Sequence, residues 1–426
     1  MIFNSSKYNS HWQDKKLSDL GSFRRGKSRH RPRNDPKLFK NGVYPLVQTG
    51  EVKQASLYLN NHHSCYNEFG LSQSEIWPEN TLCITIAANI AETALLSYPM
   101  CFPDSIVGFN AYQEESSEIF MHYVFTYIRR AIQNSASGSI QDNINIDYLT
   151  GLKFKVPLKS YQDKIVSVLS VLDNKIDLNN RINAELEAMA KTLYDYWFVQ
   201  FDFPDANGKP YKTSGGKMEY NATLKREIPA GWKSGTLDDL GQIVGGSTPT
   251  TSRPENFTTN GTPWITPNDL SDNQSNKFIS RGAQDVSVEG IKSASLKTYP
   301  AGTVLLSSRA PIGYMAIARN ELTTNQGFKS FIPSKNYSTE YVYYAVKNSL
   351  PVIMQNASGS TFKEVSGSVL KSIDVMLPAF SVVDDFTKTV AGIFSRQDKL
   401  EQENQQLTAL RDWLLPLLMN GQVTVK

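Results

Sequence analysis

Long hydrophobic runs are missing from this sequence. None of its 426 residues falls in a stretch of about 18 apolar residues, the length that spans a bilayer. The two most apolar windows, 81–96 and 303–318, are interrupted by Glu92 and Arg309 respectively. The N-terminus has no basic stretch that leads into an apolar core, as a secretory signal peptide would. We therefore expect a cytoplasmic protein that does not associate with a membrane.

Cysteine is scarce as well. Three cysteines in so long a chain argue against a disulfide framework and favour a reducing compartment. The segment His62-His63-x-Cys65 could ligate a metal ion, but structural metal sites need a second pair of ligands at comparable spacing, and the sequence has none. We therefore expect no metal site.

Catalytic motifs are also missing. The sequence has no Asp/Asn-Pro-Pro-Tyr motif for adenine methylation, no glycine-rich turn after a strand for S-adenosylmethionine, and no convincing Asp…Glu-x-Lys nuclease cluster. These absences predict a protein with no catalytic residues and no cofactor of its own.

One segment, Gly21–Ser28, does match the phosphate-loop pattern G-x4-G-K-[ST]. A working phosphate loop needs a buried strand before it and a helix after it, whose N-terminal amides bind the phosphates. Here polar residues precede the motif, and Pro32 follows where the helix should begin. A nucleotide triphosphatase that uses Gly21–Ser28 is therefore an alternative that the surrounding sequence disfavours.

Positive charge is concentrated near the N-terminus. The net charge is only +3, yet residues 1–50 contain eleven Lys or Arg and three Asp, a local balance of +8. Six Lys or Arg and His30 fall between Arg24 and Arg33, a segment that we call the basic loop. Such a run is often only a solvated loop, but it also suits contact with a phosphate backbone.

The sequence repeats itself. The motif Trp12-x4-Leu17-x-Asp19-Leu20-Gly21 recurs 220 residues later as Trp232-x4-Leu237-x-Asp239-Leu240-Gly241. Ala136–Ser139 recurs as Ala357–Ser360, and from there the offset stays at 221 without a gap. This period is far longer than that of a solenoid, so it indicates tandem duplication of a whole two-part unit.

The first part of each copy of the repeat, residues 11–158 and 231–379, alternates turn residues with short β-branched and aromatic runs. This pattern predicts an α+β domain. Residues 201–230 are rich in Gly and Pro, which is typical of a connector. The predicted strands are Val43–Gln48, Thr81–Ile86, Thr303–Ser307 and Phe328–Ile332, and the predicted helices are Phe120–Ile132 and Tyr341–Lys347.

The second part of each copy of the repeat, residues 159–200 and 380–421, has apolar residues at intervals of seven. Five heptads in the same register indicate two long coiled-coil helices, although separate amphipathic helices would also fit. A polar Asn179 in the seam could fix the register of pairing, or it could lie on a solvent face. Pro416 should kink or end the second helix near its last turn. The seam positions are Ile165, Leu172, Asn179, Leu186 and Leu193, and then Phe386, Ile393, Leu400, Leu407 and Leu414.

These separated motifs resemble the specificity subunits of type I restriction–modification enzymes. The repeated Trp-x4-Leu-x-Asp-Leu-Gly motif and the Ala-Ser-Gly-Ser segment resemble the recognition domains of that family. The run 193–204, Leu-Tyr-Asp-Tyr-Trp-Phe-Val-Gln-Phe-Asp-Phe-Pro, is similar to their central region, and 407–423 is similar to their C-terminal region. The resemblance covers essentially the whole chain.

The resemblance implies an α+β fold with two tandem target-recognition domains, separated by two long antiparallel coiled-coil helices in a pseudo-two-fold repeat. It implies sequence-specific binding to double-stranded DNA, with each domain reading half of an asymmetric bipartite site. Two methyltransferase subunits that bind S-adenosylmethionine and methylate adenine at N6 would dock on the chain. Through them, restriction subunits would use ATP and Mg²⁺ for site-specific cleavage. The specificity part of a stand-alone adenine methyltransferase is the alternative.

Side chains that read DNA must offer paired donors or acceptors to base edges, or bind phosphates. Residues that meet this need occur at matched positions in both copies, and the second copy is much less basic. We expect contacts in the first domain from Arg24, Arg25, Lys27, Arg29, Arg31, Arg33, Gln48 and Thr49. In the second domain we expect them from Ser247, Thr248, Thr250, Thr251, Ser252, Arg253, Asn268, Asp269, Ser307, Ser308, Arg309, Thr361 and Lys363.

Overall fold

The computed structural model describes residues 7–87, 89–137, 146–334, 336–359 and 363–425. These residues form two compact units. Unit 1 comprises Met1–Leu178 with Asn404–Lys426, and unit 2 comprises Asn179–Glu403. Each unit therefore contains one of the predicted α+β domains together with a part of each predicted long helix.

The repeated Trp-x4-Leu-x-Asp-Leu-Gly motif has a structural role. Leu17 and Leu20 are fully buried, and the carboxylate of Asp19 accepts a hydrogen bond from the backbone three residues earlier. Gly21 then begins an edge strand, where a β-carbon would lie 2.4 Å from a buried aromatic ring. Only glycine fits there, so the motif turns the chain into the sheet. Leu237, Leu240, Asp239 and Gly241 take the same places in unit 2.

The α+β domain of unit 1 contains a five-stranded sheet, a four-stranded sheet and a two-stranded pair. The five-stranded sheet is antiparallel except for its last pair. Its strands, in order across the sheet, are Gly21–Arg25, Ile106–Ala111, Leu82–Thr85, Thr93–Leu96 and Tyr58–Leu59. The four-stranded sheet contains Ser64–Tyr66, Tyr44–Leu46, Met100–Cys101 and Ile76–Trp77, and the pair is Gln13–Lys16 with Lys153–Val156. The α-helices are Thr49–Gln54, Glu68–Ser72, Glu118–Ser137 and Ile146–Gly151.

Unit 2 repeats this arrangement. Its five-stranded sheet has the order Gly241–Gly245, Lys329–Pro333, Val304–Leu306, Met315–Ala318 and Phe278–Ile279. Its four-stranded sheet contains Phe257–Thr258, Gln284–Val286, Thr262–Ile265 and Thr323–Thr324, and its pair is Lys233–Thr236 with Asp374–Leu377. The α-helices are Pro267–Asp272, Val288–Ser293, Thr339–Gln355 and Gly367–Lys371. The predicted connector adds a hairpin of Met218–Asn221 and Arg226–Pro229.

The α+β prediction is confirmed, and so is the presence of each predicted strand and helix, with shifted ends. The predicted strand Val43–Gln48 is extended only over Tyr44–Leu46, because Gln48 is already the N-cap of the helix Thr49–Gln54. The predicted helix Phe120–Ile132 runs over Glu118–Ser137.

Two long helices follow the α+β domains. The first tail helix is Lys159–Tyr194 and ends in a π-helical turn, Asp195–Val199. The second tail helix is Phe380–Met419, and it continues through Pro416 for three more residues before it ends. The predicted seam positions are buried or half-buried in both helices.

Within each unit the two tail helices run antiparallel. In unit 1, Arg411 Nη1 donates to Asp173 Oδ1 at 2.9 Å. In unit 2, Asn179 is completely buried and its Nδ2 donates to Glu403 Oε2, also at 2.9 Å. Asn179 therefore lies in the seam rather than on a solvent face, where its amide favours one register of pairing.

The aromatic run after the first tail helix fills the core of unit 2. Trp197 and Phe198 pack on Phe386 of the second tail helix, with ring centroids 5.7 and 5.1 Å apart. Phe203 stacks on Trp232, the tryptophan of the repeated motif, at 5.0 Å. Burial of such rings is the main apolar contribution to this unit.

None of the helices among the described residues is both long enough and apolar enough to span a bilayer.

Candidate nucleic-acid interface

The basic loop starts on the edge strand Gly21–Arg25 of unit 1 and continues as irregular chain. All six of its Lys and Arg residues are exposed. Six neighbouring cations repel one another, so a fixed conformation requires nearby carboxylates. Two carboxylates, Glu75 and Asp104, supply them.

Glu75 binds the first part of the basic loop. Its Oε2 lies 2.6 Å from Lys27 Nζ, and its Oε1 accepts a hydrogen bond from Arg24 Nη1 at 2.9 Å. The Lys27 ammonium and then the Arg24 guanidinium hold the pKa of the Glu75 carboxyl below its ordinary value. Glu75 therefore stays ionised at neutral pH and fixes both cations.

Asp104 binds the second part. Its Oδ1 lies 2.6 Å from Arg33 Nη2, and its Oδ2 lies 3.5 Å from Arg31 Nη2. Arg25 and Arg29 have no carboxylate partner anywhere in the described ranges. The loop thus keeps a net positive charge, and two of its guanidinium groups are open to an external anion.

Gln48 and Thr49 of unit 1 lie beside a helix start. Gln48 is exposed, and its backbone N donates to Glu51 Oε2 at 2.7 Å, which caps the start of the helix. Thr49 is half-buried as the first residue of the helix. The equivalent cap in unit 2 is Thr266 with Asp269.

The loop of unit 2 that matches the basic loop has little charge. Ser247 is held by its backbone, because its N donates to Thr324 O and its O accepts from Trp264 Nε1, each at 3.1 Å. Thr248 is half-buried and donates its hydroxyl to Gln326 Oε1. The following residues are exposed and are available for contact: Thr250, Thr251, Ser252 and Arg253.

Unit 2 also has a cleft of about 570 Å³. It brings together Asn268 and Arg309, which lie 41 positions apart in the sequence. The Arg309 guanidinium has no carboxylate partner among the residues that the structure describes, and Asn325 offers a further amide. A half-buried, unpaired guanidinium beside amides is suited to a polar, electron-rich ligand. The cleft residues are Thr266, Pro267, Asn268, Ser271, Arg309, Ala310, Pro311, Asn325 and Glu364.

Of the predicted contacts in unit 2, two are buried and a third is hydrogen-bonded within the fold. Ser307 and Ser308 are completely buried at the end of a central strand, where Ser307 Oγ donates to Pro311 O at 2.7 Å. Both carboxylate oxygens of Asp269 are occupied, because Oδ2 accepts from Thr266 and Oδ1 accepts from the backbone N of Ala283. These three residues are structural.

The remaining two predictions fall beside the Ala-Ser-Gly-Ser repeat. Lys363 is exposed, next to the cleft residue Glu364. Thr361 lies outside the described residues.

Sequence reasoning missed Glu75, Asp104 and Asn325. Glu75 is 51 residues from Arg24 and Asp104 is 71 residues from Arg33, so neither pairing has a local signal. The one available hint is that Glu75 comes two residues before Trp77. The segment Trp77-Pro78-x2-Thr81 also repeats, as Tyr299-Pro300-x2-Thr303.

The phosphate-loop alternative fails on geometry. Gly21–Arg25, which should form the loop, is a strand, and the first α-helix after it starts only at Thr49. Lys27 is bound to Glu75, and Ser28 is almost fully buried. In the part of the chain that the structure describes, no cluster of three or more His, Cys, Asp or Glu could hold a metal ion.

The fold defines a tandem-duplicated α+β protein in which each copy carries a different polar surface and packs on paired long helices. Residues 9–188 and 229–410 match the family described as type I restriction modification DNA specificity domain. Because these matches cover most of the chain, the protein belongs to that family.

Individual relatives agree with this assignment. The chain is 38% identical over 207 residues to the MjaIX specificity subunit of Methanocaldococcus jannaschii, which covers 48% of this chain and 46% of that protein. It is 29% identical over 343 residues to the HindI specificity subunit of Haemophilus influenzae, covering 69% and 74% respectively. Among solved structures, it is similar to the type I restriction-modification system S subunit from M. genitalium, with a TM-score of 0.56 and 16% identity. That alignment covers 98% of this chain and 97% of the other, and it shows a shared fold.

Proposed function

We propose that this chain is a cytoplasmic, non-catalytic specificity subunit that reads an asymmetric, interrupted sequence in double-stranded DNA. One observation carries the proposal: two copies of the same domain present different chemistry at equivalent loops. The basic loop of unit 1 has six Lys or Arg, whereas residues 247–253 of unit 2 have only Arg253. Two unlike reading surfaces require two unlike half-sites.

The chemistry would lie on partners. Two methyltransferase subunits would bind S-adenosylmethionine and methylate adenine at N6, and restriction subunits would add ATP- and Mg²⁺-dependent cleavage. A modification enzyme that has no restriction subunit would use the same chain in the same way.

An apolar strip on the tail helices of unit 1 is suited to docking a methyltransferase subunit. Val171, Leu178, Leu410 and Trp413 are exposed by 65, 48, 42 and 62%. The Asp173–Arg411 ion pair sets the register, so Val171 and Trp413 lie at the same level of the helix pair. Exposed apolar side chains grouped in this way are typical of protein interfaces.

The decisive experiment is to co-express the chain with its methyltransferase subunit and to sequence the methylated adenines. We expect an interrupted motif with two unlike halves, and we expect Arg309→Ala to relax the half read by unit 2 while the other half stays intact. A continuous palindrome, or no motif, would contradict the two-surface proposal.

Arg25 and Arg29 are the predicted phosphate contacts of the basic loop, because neither has an internal carboxylate partner. Replacing both by alanine should weaken binding to every DNA sequence alike, and should reduce the slope of log affinity against log salt by about 2. Fluorescence anisotropy between roughly 50 and 200 mM salt, on target and non-target duplexes, measures both effects. Arg130→Ala, at an exposed helix position outside the loop, serves as the control. A slope that the double variant leaves unchanged removes the basic loop from the interface.

A further inference from the structure

Arg24 rests on an aromatic platform that the sheet register creates. In the edge strand, Arg24 lies opposite Gly108, and side chains of directly opposed residues share one face of a sheet. Gly108 has no side chain, and the ring of Trp77 fills that space so closely that a β-carbon would lie 2.5 Å from it. The Arg24 guanidinium lies over this ring, 4.5 Å from its centroid.

The platform is rigid. Trp77 is 1% exposed and stacks on Phe102, with ring centroids 4.6 Å apart and an interplanar angle of 24°. A guanidinium that contacts a buried ring held in place by a second ring has little freedom to move.

Glu75 holds the guanidinium through one nitrogen only. The contact joins a single nitrogen, Arg24 Nη1, to a single oxygen, Glu75 Oε1, so Nε and Nη2 keep their donors. The Arg24 side chain is 56% exposed. Arg24 therefore presents a planar pair of donors outward in a fixed direction, unlike a flexible surface arginine.

Unit 2 lacks the arrangement that Arg24, Trp77 and Glu75 form in unit 1. Val244 takes the place of Arg24 and lies opposite Ser330, and Tyr299 takes the place of Trp77, with its hydroxyl donating to Gly245 O at 2.6 Å. The position that matches Glu75 is Lys297, of opposite charge. The arrangement is therefore specific to the surface of unit 1.

We infer that Arg24 reads a guanine in the half-site of unit 1, and that Trp77 and Glu75 are its positioning residues. A phosphate can also be bound by a mobile point charge such as a lysine ammonium, whereas the N7 and O6 acceptors of guanine in the major groove are best matched by two coplanar donors. The contact with Trp77 and the single-nitrogen ion pair to Glu75 hold the guanidinium while leaving two donors for such a partner. The inference rests on the proposed function and separates Arg24 from the phosphate contacts Arg25 and Arg29.

The test uses the complex of the full chain with its methyltransferase subunits and maps methylated adenines for the wild type, Arg24→Lys and Glu75→Gln. The wild-type motif should contain a guanine in one half. Arg24→Lys keeps the charge but loses the paired donors, so preference for that guanine should fall roughly tenfold or more, and the other half and the salt slope should not change. Glu75→Gln should relax the same position by a smaller factor. Arg130→Lys is the matched control, with an unaltered motif.

The outcomes separate the two proposals. If the wild type gives no interrupted motif, the proposed function fails. If it gives one that Arg24→Lys leaves unchanged, the guanine assignment is wrong and Arg24 is a phosphate contact like its neighbours. If Arg24→Lys relaxes one guanine but Glu75→Gln does not, Glu75 is not a positioning residue. Thermal unfolding of each complex checks that Arg24→Lys and Glu75→Gln retain the wild-type fold.

Discussion

Replacing Glu401 by alanine should lower the free energy of unfolding of unit 2 by roughly 3–5 kcal/mol. Glu401 is 2% exposed on the second tail helix. Its Oε1 accepts from the backbone N of Lys277 at 2.7 Å, and its Oε2 accepts from the backbone N of Phe278 at 3.0 Å and from Arg319 Nη2 at 3.1 Å. Alanine would leave two buried N–H groups unpaired and would remove one carboxylate partner of Arg319.

This carboxylate belongs to a network that connects the α+β domain of unit 2 to both tail helices. The buried Lys277 ammonium lies 2.6 Å from Glu187 on the first tail helix and 2.7 Å from Gln397 on the second. Burial lowers the pKa of Lys277 to about 8, and burial raises the pKa of Glu401 above its ordinary value in spite of its donors. Both charges are therefore held at a cost in desolvation, which only complete pairing offsets.

Glu401→Gln separates the lost hydrogen bonds from the lost charge. Its carbonyl oxygen can still accept one of the two backbone N–H groups, and it carries no buried charge, so the loss should be about half that of the alanine variant. Hydrogen exchange at the amides of Lys277 and Phe278, together with urea unfolding, measures both variants. The exposed Gln402→Ala should change stability by less than about 0.5 kcal/mol. If Glu401→Ala were as stable to unfolding as Gln402→Ala, the role assigned to Glu401 would be wrong.

How far the sequence predicts this protein depends on the range of the interaction. The repeated motif and the heptads are visible because Leu17, Leu20 and Gly21, or the seam leucines, act through neighbours a few residues away and recur at a fixed period. The ion pairs of Glu75 with Arg24 and of Asp104 with Arg33 join residues 51 and 71 positions apart, so only the folded sheet reveals them. The same limit makes Ser307 and Ser308 look like DNA contacts in the sequence alone. A polar residue that interrupts an apolar run resembles a surface contact in sequence, and here the run is a central strand that buries both.

Replacing Trp413 by aspartate should remove one methyltransferase subunit from the complex and leave the chain folded. By the repeat, the second methyltransferase subunit would dock on the equivalent positions of the tail helices in unit 2, and these differ from the strip of unit 1. At the offset of 221, Leu410 and Trp413 of the apolar strip correspond to Met189 and Thr192, and Leu178 corresponds to Lys399. The surface of unit 1 is thus the more apolar, and it includes a tryptophan, a residue type that often dominates binding energy.

A buried interface tryptophan typically contributes about 2–4 kcal/mol, so Trp413→Asp should weaken docking on unit 1 by roughly 30-fold or more. Because the side chain is 62% exposed in the chain itself, the substitution should change folding stability little. Native mass spectrometry of the co-expressed complex should count two methyltransferase subunits for the wild type and one for the variant. Gln405→Asp adds the same charge at an exposed polar position of the same helix, and its complex should keep both methyltransferase subunits. An aspartate carboxylate cannot be buried in an apolar contact without a partner for its charge. If the Trp413→Asp complex kept both methyltransferase subunits, docking would therefore use another surface.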